Sequence, residues 1–147
     1  MTTLPAVRGR DAHIEQLGKV PMFSGASRKE LGLVAQAGDE IQIPAGQVLM
    51  EEGRQGHEFF LILEGDAVVK RRGKKVANLG PGQYFGELAL LHRGPRSATV
   101  TAESDLVVLV LAQREFSGVL DAVPALGRTM LASMARRLRE ADTQTRG

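Results

Sequence analysis

The hydrophobic period of this chain changes twice, and those two changes limit the fold more than any other feature. Up to Ala35 the apolar residues fall at helical intervals: Ile14 and Leu17, then Leu31, Val34 and Ala35. Asp11 is placed to cap the first group, and Ser27 with Glu30 has the spacing of a capping box ahead of the second. From Glu40 the interval shortens. Ile41 to Ile43, Val48 to Met50, His57 to Leu63, Ala67 to Lys70, Lys75 to Leu79, Ser97 to Ala102 and Leu106 to Leu111 read as short strands. Pro44-Ala45-Gly46, the loop Gly53 to Gly56, Glu64-Gly65-Asp66, Arg71-Arg72-Gly73 and Gly80-Pro81-Gly82 punctuate them, and an insertion runs from Tyr84 to Pro95. After Leu111 helical spacing returns with Phe116, Val119 and Leu120, then, behind Pro124, with Leu126, Met130, Leu131, Met134 and Leu138. The pattern predicts a mainly β fold of seven or eight strands, a sandwich or jelly roll, with helices at both ends.

Glycine supports that reading, at 17 of 147 residues, well above the usual ~7% and as expected for many tight turns. The length suits one domain and leaves no room for a linked catalytic one. Residues 1–10 read as a flexible N-terminus, 11–142 as the domain and 143–147 as a flexible C-terminus. With no cysteine, disulfides, thiolate metal sites and cysteine nucleophiles are excluded together. A net charge of +2 does not imply strong nucleic-acid binding. The longest apolar run, Leu106 to Ala112, has seven residues, far short of the ~18 of a membrane span, and no signal-peptide core opens the chain. A cytoplasmic protein is expected. His13, His57 and His92 share no short spacing and are expected on the surface, with no metal site. Lys70 to Lys75 reads as a solvated hairpin tip.

Chemistry concentrates in Phe85-Gly86-Glu87-Leu88-Ala89-Leu90-Leu91 and Pro95-Arg96-Ser97-Ala98-Thr99-Val100. Gly86 lets a ligand approach the main chain, and the N–H groups of Glu87, Leu88 and Ala89 would open a helix and attract an anion. Arg96, nine residues past Glu87, can return a planar fork onto that anion. Glu87 would be repelled by a phosphate unless it accepts from a sugar hydroxyl, so phosphate and ribose together indicate a nucleotide. Ala89 and Ala98 leave space beside it, and Pro95 restricts the turn that delivers Arg96.

The segment F-G-E-L-A-L-L-x-x-x-P-R-S-A-T-V resembles the phosphate-binding cassette of the cyclic nucleotide-binding domain family. V-L-M-E-E-G-R-Q-G-H-E-F-F-L-I-L-E-G-D is similar to the strand, glycine loop and strand that precede it there. The resemblance implies an eight-stranded β roll flanked by helices that binds cyclic AMP or cyclic GMP. It makes Glu87 the acceptor for the ribose 2′-OH and Arg96 the partner of the cyclic phosphate, with Gly86, Leu88, Ala89, Ser97 and Ala98 as backbone or close contacts. Val69, Val76 and Ala77 would line the apolar side of the base pocket. Met134-Ala135-Arg136-Arg137-Leu138 resembles the long helix of bacterial catabolite-activator regulators, which makes Arg137 a further ligand contact. Those regulators carry hydroxyl residues just beyond, where this chain has Ala141 and Asp142, and continue into a DNA-binding domain, which is not expected here. The spacing from Glu87 to Arg96 is more similar to regulatory subunits of cyclic nucleotide-dependent kinases.

The expectation is a stand-alone, non-enzymatic sensor that needs no cofactor and takes cyclic AMP in preference to cyclic GMP, because bacterial regulators with serine at position 97 bind cyclic AMP. Ligand capture would let the C-terminal helix repack as a lid through Leu126, Met130 and Met134. Arg96→Ala would lose a phosphate contact, on the order of 2–5 kcal/mol of binding, and leave the fold intact. The apolar stripe of that helix is expected to pack on the domain's own core, or else on a twin helix in a homodimer; the downstream protein is unknown. The competing expectation is a structural or dimerisation module of the same fold that binds no nucleotide.

Overall fold

A computed structural model describes residues 10–87 and 94–146, with backbone alone at 10–12 and 141–146. The expected loose end at residues 1–9, and Gly147, lie outside the described residues. Helix α1 (Arg10–Gly18) begins one residue ahead of Asp11, which therefore sits in its first turn and not at its cap. Helix α2 (Arg28–Ala37) has the expected capping box: Ser27 Oγ accepts from the Glu30 N–H at 3.1 Å and Glu30 Oε1 accepts from the Ser27 N–H at 2.8 Å. Eight strands follow: β1 (Asp39–Ile43), β2 (Val48–Met50), β3 (Glu58–Glu64), β4 (Ala67–Arg71), β5 (Lys74–Leu79), β6 (Tyr84–Phe85), β7 (Thr99–Ala102) and β8 (Leu106–Ala112). Helix α3 (Gln113–Ala122) and the long α4 (Pro124–Arg146) close the chain, and α4 continues through 143–146.

The strands form two antiparallel sheets, β1-β8-β3-β6 and β2-β7-β4-β5. Strand β3 explains why the sequence there is a continuous apolar run and not an alternation. Its five central residues are all buried, because both faces of its sheet are covered. Phe59, Leu61 and Leu63 pack with Leu17, Val34, Phe116 and Leu126 of the helices, while Phe60 and Ile62 pack with Val100 and Ala67 of the facing sheet. Ring stacking completes each layer, Phe59 on Phe116 at 4.7 Å and Phe60 on Phe85 at 4.8 Å between centroids.

The hairpin of β4 and β5 closes through Arg72-Gly73, with φ of 55° and 78°. Positive φ at both central residues gives the twist that joins strands by a two-residue turn. The basic run is thus an exposed hairpin tip, as expected. A register shift places Val69 opposite Ala77 and Lys70 opposite Lys75, leaving Val76 as the extra residue of a bulge.

Three expectations need correction. The two-residue strand β6 lies in the stretch read as insertion; it is too short to carry a period, and only its pairing with Phe60 and Leu61 defines it. The stripe on α4 does not pack on the core along its length: Leu126 and Met130 are buried and Met134 partly so, but Leu131 and Leu138 are 67% and 73% exposed. Leu131 and Leu138 lie on the side of α4 turned away from the core, while Arg137 still reaches Glu87 and Tyr84. His13 is not on the surface; its side chain lies largely buried, 3.8 Å from Glu40 on β1. His57 is exposed, and His92 lies outside the described residues. Among the described residues no helix is long and apolar enough to cross a membrane.

Candidate functional site

Strand β6 carries the chain from the inter-sheet core to Gly86, where φ is +92°. A side chain at Gly86 would be strained by that angle and would press on the Glu58 carbonyl at 2.7 Å and on Arg96 Nη1 at 3.0 Å. The bend turns the Gly86 carbonyl towards Arg96 and starts a helical segment at Glu87. Leu88 and Ala89, both expected at the site, lie outside the described residues, as does the rest of 88–93.

The returning segment is held to the loop ahead of β3 by main-chain bonds. The Arg96 N–H donates to Arg54 O at 2.8 Å and the Gly53 N–H to Arg96 O at 2.9 Å. The guanidinium of Arg96 is buried, 5% exposed, and Nη1 donates to Gly86 O and Nη2 to Glu58 O, each at 2.7 Å. Gly56 lies flat against it; a methyl group there would overlap Nε and Cζ. Burial lowers the Arg96 pKa, while Glu58 and Glu87 oppose that shift. A guanidinium has five N–H donors, so a fork oriented by two carbonyls retains donors for an anion. The same two bonds correct one expectation. Arg96 is part of the fold, and truncating it would leave two carbonyls without their donor.

Glu87 is 3% exposed and its Oε1 lies 3.3 Å from Arg137 Nη1. Burial pushes its carboxyl above the ordinary value of 4.5, against the opposing effects of a main-chain hydrogen bond, Arg137 and Arg96. Arg137 also lies over the Tyr84 ring, 5.7 Å from the centroid. Helix α4 is therefore anchored at the site by one side chain that touches both the acid and the strand leading to it.

These groups surround a cavity of about 840 Å³, within the size range of small-ligand sites, about 300–1,000 Å³. Gly86, Glu87, Arg96, Ser97, Ala98 and Arg137 line it, and Val69, Val76 and Ala77 supply apolar wall from the β4–β5 hairpin. Asn78 and Leu79, which follow them on β5, line the cavity as well. Every described residue expected at the site is thus brought to one cavity. Glu58, Gly56, Tyr84 and Arg71 were missed. Gly56 carried only a turn signal, Glu58 acts through its carbonyl, which any residue has, and Arg71 was read with the solvated hairpin tip. Among the described residues no group of three or more His, Cys, Asp or Glu is placed to hold a metal ion.

The family model described as the cyclic nucleotide-binding domain matches residues 40–122. The cyclic AMP receptor protein of Thermus thermophilus is 31% identical over 129 residues, covering 84% of this chain and 60% of that protein. The crystal structure of the Thermus thermophilus catabolite activator protein superposes with a TM-score of 0.79 at 32% identity, covering 85% of this chain and 61% of the other. The regulatory domain of Toxoplasma gondii PKA, crystallised with cAMP, superposes with a TM-score of 0.75 at 29% identity over 87% of this chain and 50% of the other. This chain therefore spans about 60% or less of the length of each of these three proteins.

Proposed function

Because the chain belongs to the cyclic nucleotide-binding domain family, we propose that it is a regulatory module that binds a cyclic nucleotide, with cyclic AMP favoured over cyclic GMP. The observation that carries this reading is one cavity holding a buried guanidinium oriented by two carbonyls, a buried carboxylate and an apolar wall. Arg96, with the main-chain N–H groups after Gly86, takes the cyclic phosphate; Glu87 accepts from the ribose 2′-OH; Val69, Val76 and Ala77 pack on the base. Ser97 and Ala98 lie beside the phosphate. The relatives, a cyclic AMP receptor protein and a kinase regulatory domain crystallised with cAMP, favour adenine.

Binding is the output, and no catalytic step is assigned. Arg137 connects the ligand to α4. Ribose hydroxyls arriving at Glu87 compete with or join its contact to Arg137, so occupancy of the cavity changes what holds α4 in place. The exposed Leu131 and Leu138, one heptad apart, support pairing of α4 with a second copy. A diffusible ligand of this kind suits a protein of the cytoplasm.

Calorimetric titration with cyclic AMP, cyclic GMP and 5′-AMP tests the reading. Cyclic AMP is expected to bind most tightly and 5′-AMP least. Arg96→Lys keeps the charge and loses the fork, and is expected to weaken cyclic AMP by an amount on the order of 2 kcal/mol or more. Absence of heat with either cyclic nucleotide, from protein that melts cooperatively, would overturn the proposal in favour of a module that binds none.

A further inference from the structure

Three arginines line the cavity, and two have evident tasks. Arg96 is set by the Gly86 and Glu58 carbonyls, and Arg137 by Glu87. The third, Arg71, stands one ladder step beyond the base wall: Val69 is opposite Ala77, and Arg71 is opposite Lys74 on the same pair of strands. Its Nε donates to Ser97 O at 3.1 Å, which ties the guanidinium to the segment that carries Arg96. Among the described residues its terminal amino groups have no other hydrogen-bond partner. The side chain is exposed, so the fold does not depend on it.

We infer that Arg71 reads the edge of the base and keeps guanine competitive with adenine; the inference rests on the nucleotide reading of the cavity. The reason is donor and acceptor matching. Two coplanar N–H donors fit two adjacent acceptors, which guanine offers as O6 and N7, whereas adenine offers N7 next to the N6 amino donor. An arginine two residues along the same strand from Val69, lining the same cavity as the apolar wall, can therefore stabilise cyclic GMP more than cyclic AMP. It narrows a preference for cyclic AMP that the rest of the site sets.

The test compares the dissociation constants of cyclic AMP, cyclic GMP and cyclic IMP for the wild-type chain, Arg71→Ala and Arg71→Lys. Cyclic IMP has O6 and N7 but lacks the 2-amino group, so it isolates the contact assigned to Arg71. The ratio of the cyclic GMP to the cyclic AMP constant is expected to rise about tenfold or more in Arg71→Ala, the size of a lost bidentate base contact. Cyclic IMP should follow cyclic GMP. Arg71→Lys, which keeps the charge and loses the planar fork, should not restore the ratio. Equal weakening of all three ligands would mean that Arg71 only positions Ser97 or attracts the phosphate, and would overturn the inference while leaving the nucleotide reading standing. An unchanged ratio overturns it as well. If the wild-type chain binds none of the three, the nucleotide reading fails, and this inference with it.

Discussion

Glu87 and Arg96 illustrate how a buried charge is made tolerable by neighbours that are mostly main chain. The Arg96 fork rests on two carbonyl oxygens and Glu87 rests on Arg137 and a backbone N–H, so both are held before any ligand arrives. Burial still raises the pKa of Glu87, so the folded chain takes up a proton at this carboxyl more readily than the unfolded chain does. The contribution of the protonated form is complete below the ordinary value of 4.5 and is lost as the pH rises through the higher folded-state value. Glu87→Gln imitates the neutral form at every pH. The melting temperature of the ligand-free variant is therefore expected to exceed that of the wild type by a margin that widens as the pH is raised from 4.5. A margin that is constant across that range would show that the carboxyl is not destabilised by its surroundings. Both residues were legible from their neighbours in sequence. Gly56 and Glu58 were not, because what they contribute to Arg96 is a missing methyl group and a carbonyl.

At the scale of elements, α4 divides into two halves with different roles. Leu126 and Met130 are 1% and 2% exposed and seal the helical side of the core, while Leu131 and Leu138 face outward. Met130→Ala should cost about 2–5 kcal/mol, the range for emptying a buried site. Leu131→Ala and Leu138→Ala should each change the stability of the monomer by no more than about 0.5 kcal/mol. Denaturant unfolding at low protein concentration measures all three, and a large loss at Leu138 would show that the outer half of α4 is packed against something in the monomer. Helical spacing alone placed Met130, Leu131, Met134 and Leu138 on one broad stripe. Which of them meets the core depends on how α4 is turned against the rest of the domain, and no local pattern encodes that. Strand β6 was hidden for a related reason. Two residues cannot show an alternation, and Tyr84 and Phe85 become a strand only because β3 supplies the partner.

For the molecule as a whole, Tyr84 and Arg137 are the described side chains that join the ligand cavity to the helical core most directly. Tyr84 packs on Phe59 of the helical core and lies beneath Arg137, and Arg137 in turn touches Glu87. This set is a route by which cyclic nucleotide binding would act on α4. Hydrogen exchange measured with and without cyclic AMP is expected to change in α4 around Arg137 and to change little in β3 and β8, which are buried on both faces. Protection in α4 that is identical in the two states would separate ligand binding from helix movement and rule out the second. The basic hairpin tip, by contrast, needs no functional account beyond Arg71, since none of its other cations lines the cavity.

Sequence by itself determined the order helix, β roll, helix, the capping box of α2, the hairpin turn and the pairing of Glu87 with Arg96 as one site. These depend on period, turn chemistry and short spacing, all of which are local. Tertiary structure alone decided that Arg96 is built into the fold, that Arg137 reaches Glu87, and that Arg71 joins the cavity. Each of these brings together residues far apart in the chain, and their distance in space follows from how the sheets and the last helix pack and not from how the residues are spaced along the chain.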